Sequence, residues 1–293
     1  MRPEGILTVT VTPFDGDGAV DYGGLERLIE FVIANGVHCI VPCGTTGEYY
    51  ALDHDERLSV MRFVAERVAG RATILAGTNA ATTREVITLS TAAKDLGYQG
   101  LLLAAPYYSL PTTDELVAHF RAVAGAVDLP IVLYNFPART GVDMDPAFLD
   151  GIRAVENIVA IKESSGSIAR LHELLVGFAG DLEIVCGADD QALEYFVWGA
   201  RSWVAGASNF LPAQHVALHR ACIEEGDIAG GRAIMEKLLP LFMYMEQGGK
   251  YIQLAKLGCE LAGVPVGETR APLGPLTPAE RQRFVELFER AVA

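Results

Sequence analysis

Lysine is scarce in this 293-residue chain, at five residues, and Lys plus Arg (23) fall well short of Asp plus Glu (37), for a formal net charge of −14. So thin and scattered a supply of cations builds no basic patch, which argues against nucleic acid or an anionic membrane surface as a partner. Any anionic small molecule must meet a local positive site. Cysteine is limited to five residues (Cys39, Cys43, Cys186, Cys222, Cys259), an odd number with no Cys-x-x-Cys pair. A disulfide framework is excluded, and reduced thiols in a cytoplasm are expected. No apolar stretch reaches the roughly 18 residues that a spanning helix needs, and residues 1–5 carry no charged-then-apolar leader, so neither membrane insertion nor secretion is expected.

What is abundant is apolar: 51% of residues are hydrophobic, enough for a sizeable core. Short apolar runs at 6–11, 37–41, 73–76, 100–103, 130–134, 158–162, 183–186 and 202–205 alternate with amphipathic segments at 22–34, 55–68, 83–96, 114–127, 168–178, 191–198 and 212–224. Eight strand–helix units predict a closed (β/α)8 TIM barrel over residues 1–225. An open dinucleotide-binding sheet would carry Gly-x-Gly-x-x-Gly after its first strand, and Asp15-Gly16-Asp17-Gly18 reads instead as a turn. Residues 226–293 show helical patterns only, at 228–245, 249–262 and 278–292, and predict a three-helix C-terminal extension. Between the last two, residues 263–276 hold three prolines and three glycines, suited to an irregular connection.

Lys162 closes the run Ile158-Val159-Ala160-Ile161, whereas Lys94, Lys237, Lys250 and Lys256 fall in helical or loop-like segments where an ammonium can reach water. A buried amine tends to lose its proton and become a nucleophile toward carbonyls. The run alone is equally consistent with a lysine that snorkels outward or pairs with Glu163. Barrel active sites gather at the carboxyl ends of strands, so the strand ends carry the argument. Strand two ends in Cys43-Gly44-Thr45-Thr46-Gly47-Glu48, able to present N–H groups and hydroxyls to an anion, with Asp53 as the cap of the next helix. Strand five ends in Tyr134. Together these ends supply the parts for imine chemistry on a 2-oxo acid: Lys162 to condense with the ketone, Tyr134 to move protons, the loop to hold the carboxylate. An imine is itself an electron sink, so no metal or cofactor is called for. A metal-dependent aldolase would need clustered ligands at the same rim; His215 and His219 have helical spacing but no evident third ligand, and one of the pair Asp189-Asp190 reads as the cap of the helix that follows.

The motifs Thr10-Val11-Thr12-Pro13-Phe14, Gly44-Thr45-Thr46-Gly47-Glu48, Tyr134-Asn135-Phe136-Pro137 with Arg139-Thr140-Gly141, and Ile161-Lys162-Glu163 resemble those of the dihydrodipicolinate synthase and N-acetylneuraminate lyase family of pyruvate-dependent class I aldolases, over nearly the whole chain. The resemblance implies a barrel with three C-terminal helices, assembled as a homotetramer of tight dimers. It assigns the Schiff base to Lys162 and proton shuttling to Tyr134, linked through Thr45 to Tyr108 of a neighbouring subunit. It also assigns the pyruvate carboxylate to Thr46 and the walls of the pyruvate pocket to Gly187 and Val204. Arg139 falls where synthases of the family grip the carboxylate of aspartate semialdehyde, a bidentate contact that favours a 4-hydroxy-tetrahydrodipicolinate synthase-like condensation of pyruvate, in lysine biosynthesis. Departures are Tyr49-Tyr50 in place of small residues, Ala81 in place of an asparagine of the lysine-feedback cleft, where His54, Glu85 and Tyr107 still match, and Gly248-Gly249-Lys250-Tyr251 in the tail. They argue against feedback by lysine and keep a 2-keto-3-deoxy sugar acid aldolase or dehydratase as the alternative. A non-catalytic keto-acid-binding barrel is the third reading, one that needs none of the proton-transfer groups.

Overall fold

Alternation with period two decides which way each strand residue points, and the eight apolar runs obey it. In a computed structural model describing residues 2–293, β1 (Gly5–Val9), β2 (Cys39–Val41), β3 (Thr73–Gly77), β4 (Gly100–Ala104), β5 (Ile131–Asn135), β6 (Ile158–Glu163), β7 (Glu183–Cys186) and β8 (Ser202–Ala205) close in sequence order. Every neighbouring pair is parallel, and β8 returns to β1. Leu7, Val9, Val41, Leu75, Leu102, Val132, Ala160, Val185 and Val204 fill the barrel interior. Their outward-facing neighbours, such as Ile6, Ile40, Leu133 and Ile161, pack against the helices. Each fully buried aliphatic side chain contributes about 1.5–3 kcal/mol, so the paired patterns stabilise barrel and helical ring together. The closed barrel foreseen from the eight runs is the observed fold.

Helices occupy Tyr22–Ala34, His54–Val68, Thr83–Asp95, Thr113–Ala126, Ile168–Gly177, Ala192–Val197 and Pro212–His219, within a residue or two of the sequence reading except after β8. There the Pro212–His219 helix passes into a π-helical turn at Arg220–Glu224. Two short helices, Pro137–Thr140 and Pro146–Ile152, were not foreseen; each starts on a proline, and seven residues or fewer display too little periodicity. Asp53 caps the His54–Val68 helix as expected, in a capping box with Glu56.

The tail forms helices Ile228–Gln247, Tyr251–Leu261 and Pro278–Val292, packed on one another and on the carboxyl-end side of β7 and β8. Its anchor is a charged one. Lys256 is buried, contrary to its reading as a water-reaching lysine, and its Nζ lies 2.7 Å from Oε1 of the fully buried Glu48. Glu48 Oε2 accepts the Arg270 N–H at 3.0 Å, the Arg270 guanidinium pairs with Glu56, and Phe14 lies against both cations. The strand-two loop is thereby tied to the tail and to the irregular 263–276 connection. Among the described residues, no helix is long and apolar enough to cross a membrane.

Candidate active site

Register places the two side chains that matter most. Tyr134 on β5 is the lateral partner of Lys162 on β6. Ala160 and Lys162 share the inward face, so the alternation that buries Ala160 aims the lysine into the barrel mouth and turns Glu163 outward. Glu163 is fully buried there, accepting from Asn135 Nδ2 at 2.8 Å and Ser165 N at 2.6 Å, with Arg170 Nε 3.6 Å away. The option of a Lys162–Glu163 pair is thus closed by geometry. Lys162 is 6% exposed, has no ion-pair partner among the described residues, and holds its Nζ 3.9 Å from the Tyr134 ring centroid. It does not snorkel.

A cavity of about 620 Å³, its open mouth included, surrounds this amine. Thr45, Thr46, Tyr134, Arg139, Lys162, Gly187 and Val204 all line it. The structure therefore brings together seven of the eight residues singled out in the sequence. The eighth, Tyr108, does not join them: it is 95% exposed on a left-handed backbone (φ 73°) and does not line this cavity. Gly187 must be glycine, since a Cβ would come within 2.1 Å of Ser164 Oγ and 2.8 Å of Lys162 Cγ. Ser164 Oγ donates to the Gly187 carbonyl at 2.8 Å, which fixes the β6 and β7 ends to each other.

The Thr45-Thr46 loop is shaped by two left-handed residues, Cys43 (φ 56°) and Glu48 (φ 54°), and held by Thr12 Oγ1 donating to the Gly47 carbonyl at 2.7 Å. The Glu48–Lys256 pair locks the strained end of the loop. Arg139 stacks over Phe136 at 5.5 Å and, among the described residues, has no carboxylate partner. Its guanidinium puts a positive charge at this cavity. Tyr49, Tyr50 and Tyr107 line an adjoining cavity with Tyr134 and Arg139, so the bulky pair does border the pocket. Burial pushes the Tyr50 hydroxyl up to about 12.

Residues that the sequence left unassigned complete the wall beyond Lys162. One of Asp189 and Asp190 is expected to cap the helix that follows, but that helix has no side-chain cap; Asp189 is 2% exposed and its carboxylate accepts from Trp203 Nε1 at 2.9 Å, Ala207 N at 3.2 Å and the Tyr251 hydroxyl. Its own N–H donates to Glu246 Oε1 at 2.9 Å. Glu246 and Tyr251, both from the tail, line the cavity beside Asp189. Burial, then the neighbouring Asp189, pushes the Glu246 carboxyl up to about 8. Asp189 is raised too, by burial, while the hydrogen bonds from Tyr251, Ala207 and Trp203 work the other way and favour its anion. Only the position of Asp189 just past a strand end signalled a pocket role; Glu246 sits in a helical pattern like any other.

The histidines form no ligand set at this rim. His215 is fully buried, stacks on Trp203 at 4.2 Å and bonds the Leu211 carbonyl, a packing role. His219, with His38 and Glu224, forms a cluster at the opposite, amino-end face of the barrel. His38 Nδ1 there accepts the Ile6 N–H at 3.1 Å, which leaves its proton on Nε2 and makes it a poor ligand.

The Dihydrodipicolinate synthetase family model matches residues 2–291. The chain belongs to that family. It is 39% identical over 280 residues, 95% of each chain, to the 4-hydroxy-tetrahydrodipicolinate synthase of Pelobacter propionicus. The dihydrodipicolinate synthase structure from Aquifex aeolicus superposes with a TM-score of 0.92 at 34% identity, covering 98% of both chains. The corresponding enzyme structure of Methylacidiphilum fumariolicum SolV gives 0.94 at 35% identity, over 99% of this chain and 96% of that one. The dihydrodipicolinate synthetase family is a family of lyases, and the barrel with its helical tail is its fold.

Proposed function

We propose that the chain condenses pyruvate, held as a Schiff base on Lys162, with aspartate semialdehyde. The observation that carries the reading is the pairing of Lys162 with Tyr134 inside a cavity whose free guanidinium, Arg139, awaits a carboxylate. The Lys162 amine attacks the ketone carbon of pyruvate; water leaves as the C=N bond forms, with Tyr134 moving the protons. The iminium then draws electrons from the methyl group, a C–H proton departs, and the resulting enamine carbon attacks the aldehyde. Thr46 holds the pyruvate carboxylate, Gly187 and Val204 bound the pyruvate pocket, and Arg139 meets the carboxylate of the semialdehyde. Tyr108, exposed on its own subunit, reaches the Thr45–Tyr134 pair of a neighbouring copy in a homotetramer built from dimers.

Borohydride reduction in the presence of pyruvate tests the class. A stable adduct on Lys162, found by peptide mass spectrometry, is expected, and a folded protein that forms none overturns the reading. Turnover of pyruvate and aspartate semialdehyde in an assay coupled to a reductase tests the partner. Negligible flux there, together with pyruvate release from a 2-keto-3-deoxy sugar acid, transfers the assignment to the second reading, which the acid-lined wall at Asp189 and Glu246 favours through its fit to hydroxyl groups.

A further inference from the structure

In barrel order Lys162 on β6 is flanked on one side by Tyr134 on β5 and on the other by the β7 end, where Asp189, Glu246 and Tyr251 converge. The proposed reaction needs a proton on each side. Tyr134 stands at the imine, whereas the aldehyde oxygen turns into an alkoxide as the new C–C bond forms and needs a donor of its own. We propose that Glu246 is that donor, held in position by Asp189 and Tyr251. The inference rests on the Schiff-base reading above and extends it to a residue of the tail.

The geometry distinguishes Glu246 from its neighbours. Asp189 is committed to three donors and has nothing to give. The Tyr251 hydroxyl is spent on Asp189, and a Cβ at Gly206 would come within 2.5 Å of that hydroxyl, so the ring is wedged in one place. Glu246 uses Oε1 to accept the Asp189 N–H, while Oε2 has no partner among the described residues and belongs to a side chain lining the cavity. A carboxylic acid arranged so has its carbonyl oxygen occupied and its O–H free. Its carboxyl, raised to about 8 chiefly by burial, carries the proton at neutral pH.

In the step itself the enamine carbon of Lys162-bound pyruvate attacks the aldehyde carbon. The C=O π pair moves to oxygen, which takes the Glu246 proton, and the iminium on Lys162 is restored. Glu246, left as a carboxylate, regains a proton from water at the pocket mouth before the next turnover.

The test is Glu246→Gln, which keeps size and the Asp189 contact but transfers no proton. Full-length wild type and variant are compared for the borohydride adduct with pyruvate, for thermal melting, and for turnover of aspartate semialdehyde and of a 2-keto-3-deoxy sugar acid across pH 6–10, a window about two pH units either side of the Glu246 value. The expected result is an undiminished Lys162 adduct and native melting, with kcat down about 10²–10³-fold. The wild-type decline in kcat above pH 8 should vanish in the variant. Turnover within threefold of wild type, or loss of the adduct together with turnover, overturns the inference. A wild type that forms the adduct yet turns over neither partner overturns this inference and the partner assignment together, while an active wild type beside an unaffected variant overturns this inference alone.

Discussion

Lys162 Nζ lies 3.9 Å from the centroid of the Tyr134 ring, because the two residues are register partners on adjacent strands and both occupy the inward face. The ring packs over the amine while the phenol stays within the same cavity. Tyr134→Phe keeps that ring and removes the proton carrier. The expected outcome is a kcat lower by about 10²–10³-fold with slowed formation of the Lys162 adduct, read by stopped-flow and reductive trapping.

Among the described residues Arg139 has no carboxylate partner, and its guanidinium lies over the Phe136 ring. Arg139→Ala should raise KM for a carboxylate-bearing aldehyde about 30–100-fold, the size of one lost charge-assisted bidentate contact, and leave KM for pyruvate within a few-fold. Steady-state kinetics with each substrate varied in turn checks the split. An equal rise for both substrates would remove Arg139 from the aldehyde site.

Tyr108 is nearly fully exposed and held in a left-handed conformation, outside the cavity around Lys162. Tyr108→Ala and Lys162→Ala should each be inactive alone. Mixed after partial dissociation, they should regain activity, since an assembly can then contain a site with both an intact lysine and an intact tyrosine. Failure of the mixture to exceed either parent, with hetero-oligomers verified by native mass spectrometry, would place Tyr108 outside the site.

Lys256 and Glu48 form a buried ion pair at 2.7 Å. Lys256→Met leaves the Glu48 carboxylate without its counter-charge and should destabilise the fold by about 3–5 kcal/mol, measured by urea unfolding. Glu48→Gln added to Lys256→Met should recover much of that loss. The strand-two loop depends on the same contact, so Lys256→Met should also weaken pyruvate binding.

The Glu246 carboxyl is raised in the folded protein to about 8, first by burial and then by Asp189. Its contribution to stability is fully present below the unfolded carboxyl value and is lost as pH rises through about 8. Wild-type Tm should fall across that window, and Glu246→Gln, which has no proton to lose, should flatten the slope.

The chemistry at the strand ends was legible because a barrel gathers those ends at one rim and because period two assigns each residue a side. That is why Lys162, Tyr134 and the Thr45-Thr46 loop could be named from the strand ends, whereas Gly187 and Val204 were named only through the family resemblance; all of them line one cavity. The same rule sets Lys162 and Glu163 on opposite faces, and register then places Lys162 beside Tyr134. Lys256 falls outside that rule. Its helix is amphipathic, and no local pattern says that a glutamate 208 positions earlier will be waiting inside.

From the sequence alone came the fold class, the strand that ends in Lys162 and the Thr45-Thr46 loop that shares its cavity, all consequences of short-range periodicity and of residues adjacent in the chain. Only the tertiary structure decided that Asp189 is a buried acceptor, that Glu246 and Tyr251 of the tail line the same cavity as Lys162, and that Tyr108 lies exposed outside it. The physical reason is distance along the chain. Protonation and orientation in this pocket depend on groups about 60 to 90 residues from their partners, and desolvation and hydrogen bonding act between such groups only once the barrel has closed and the tail has docked.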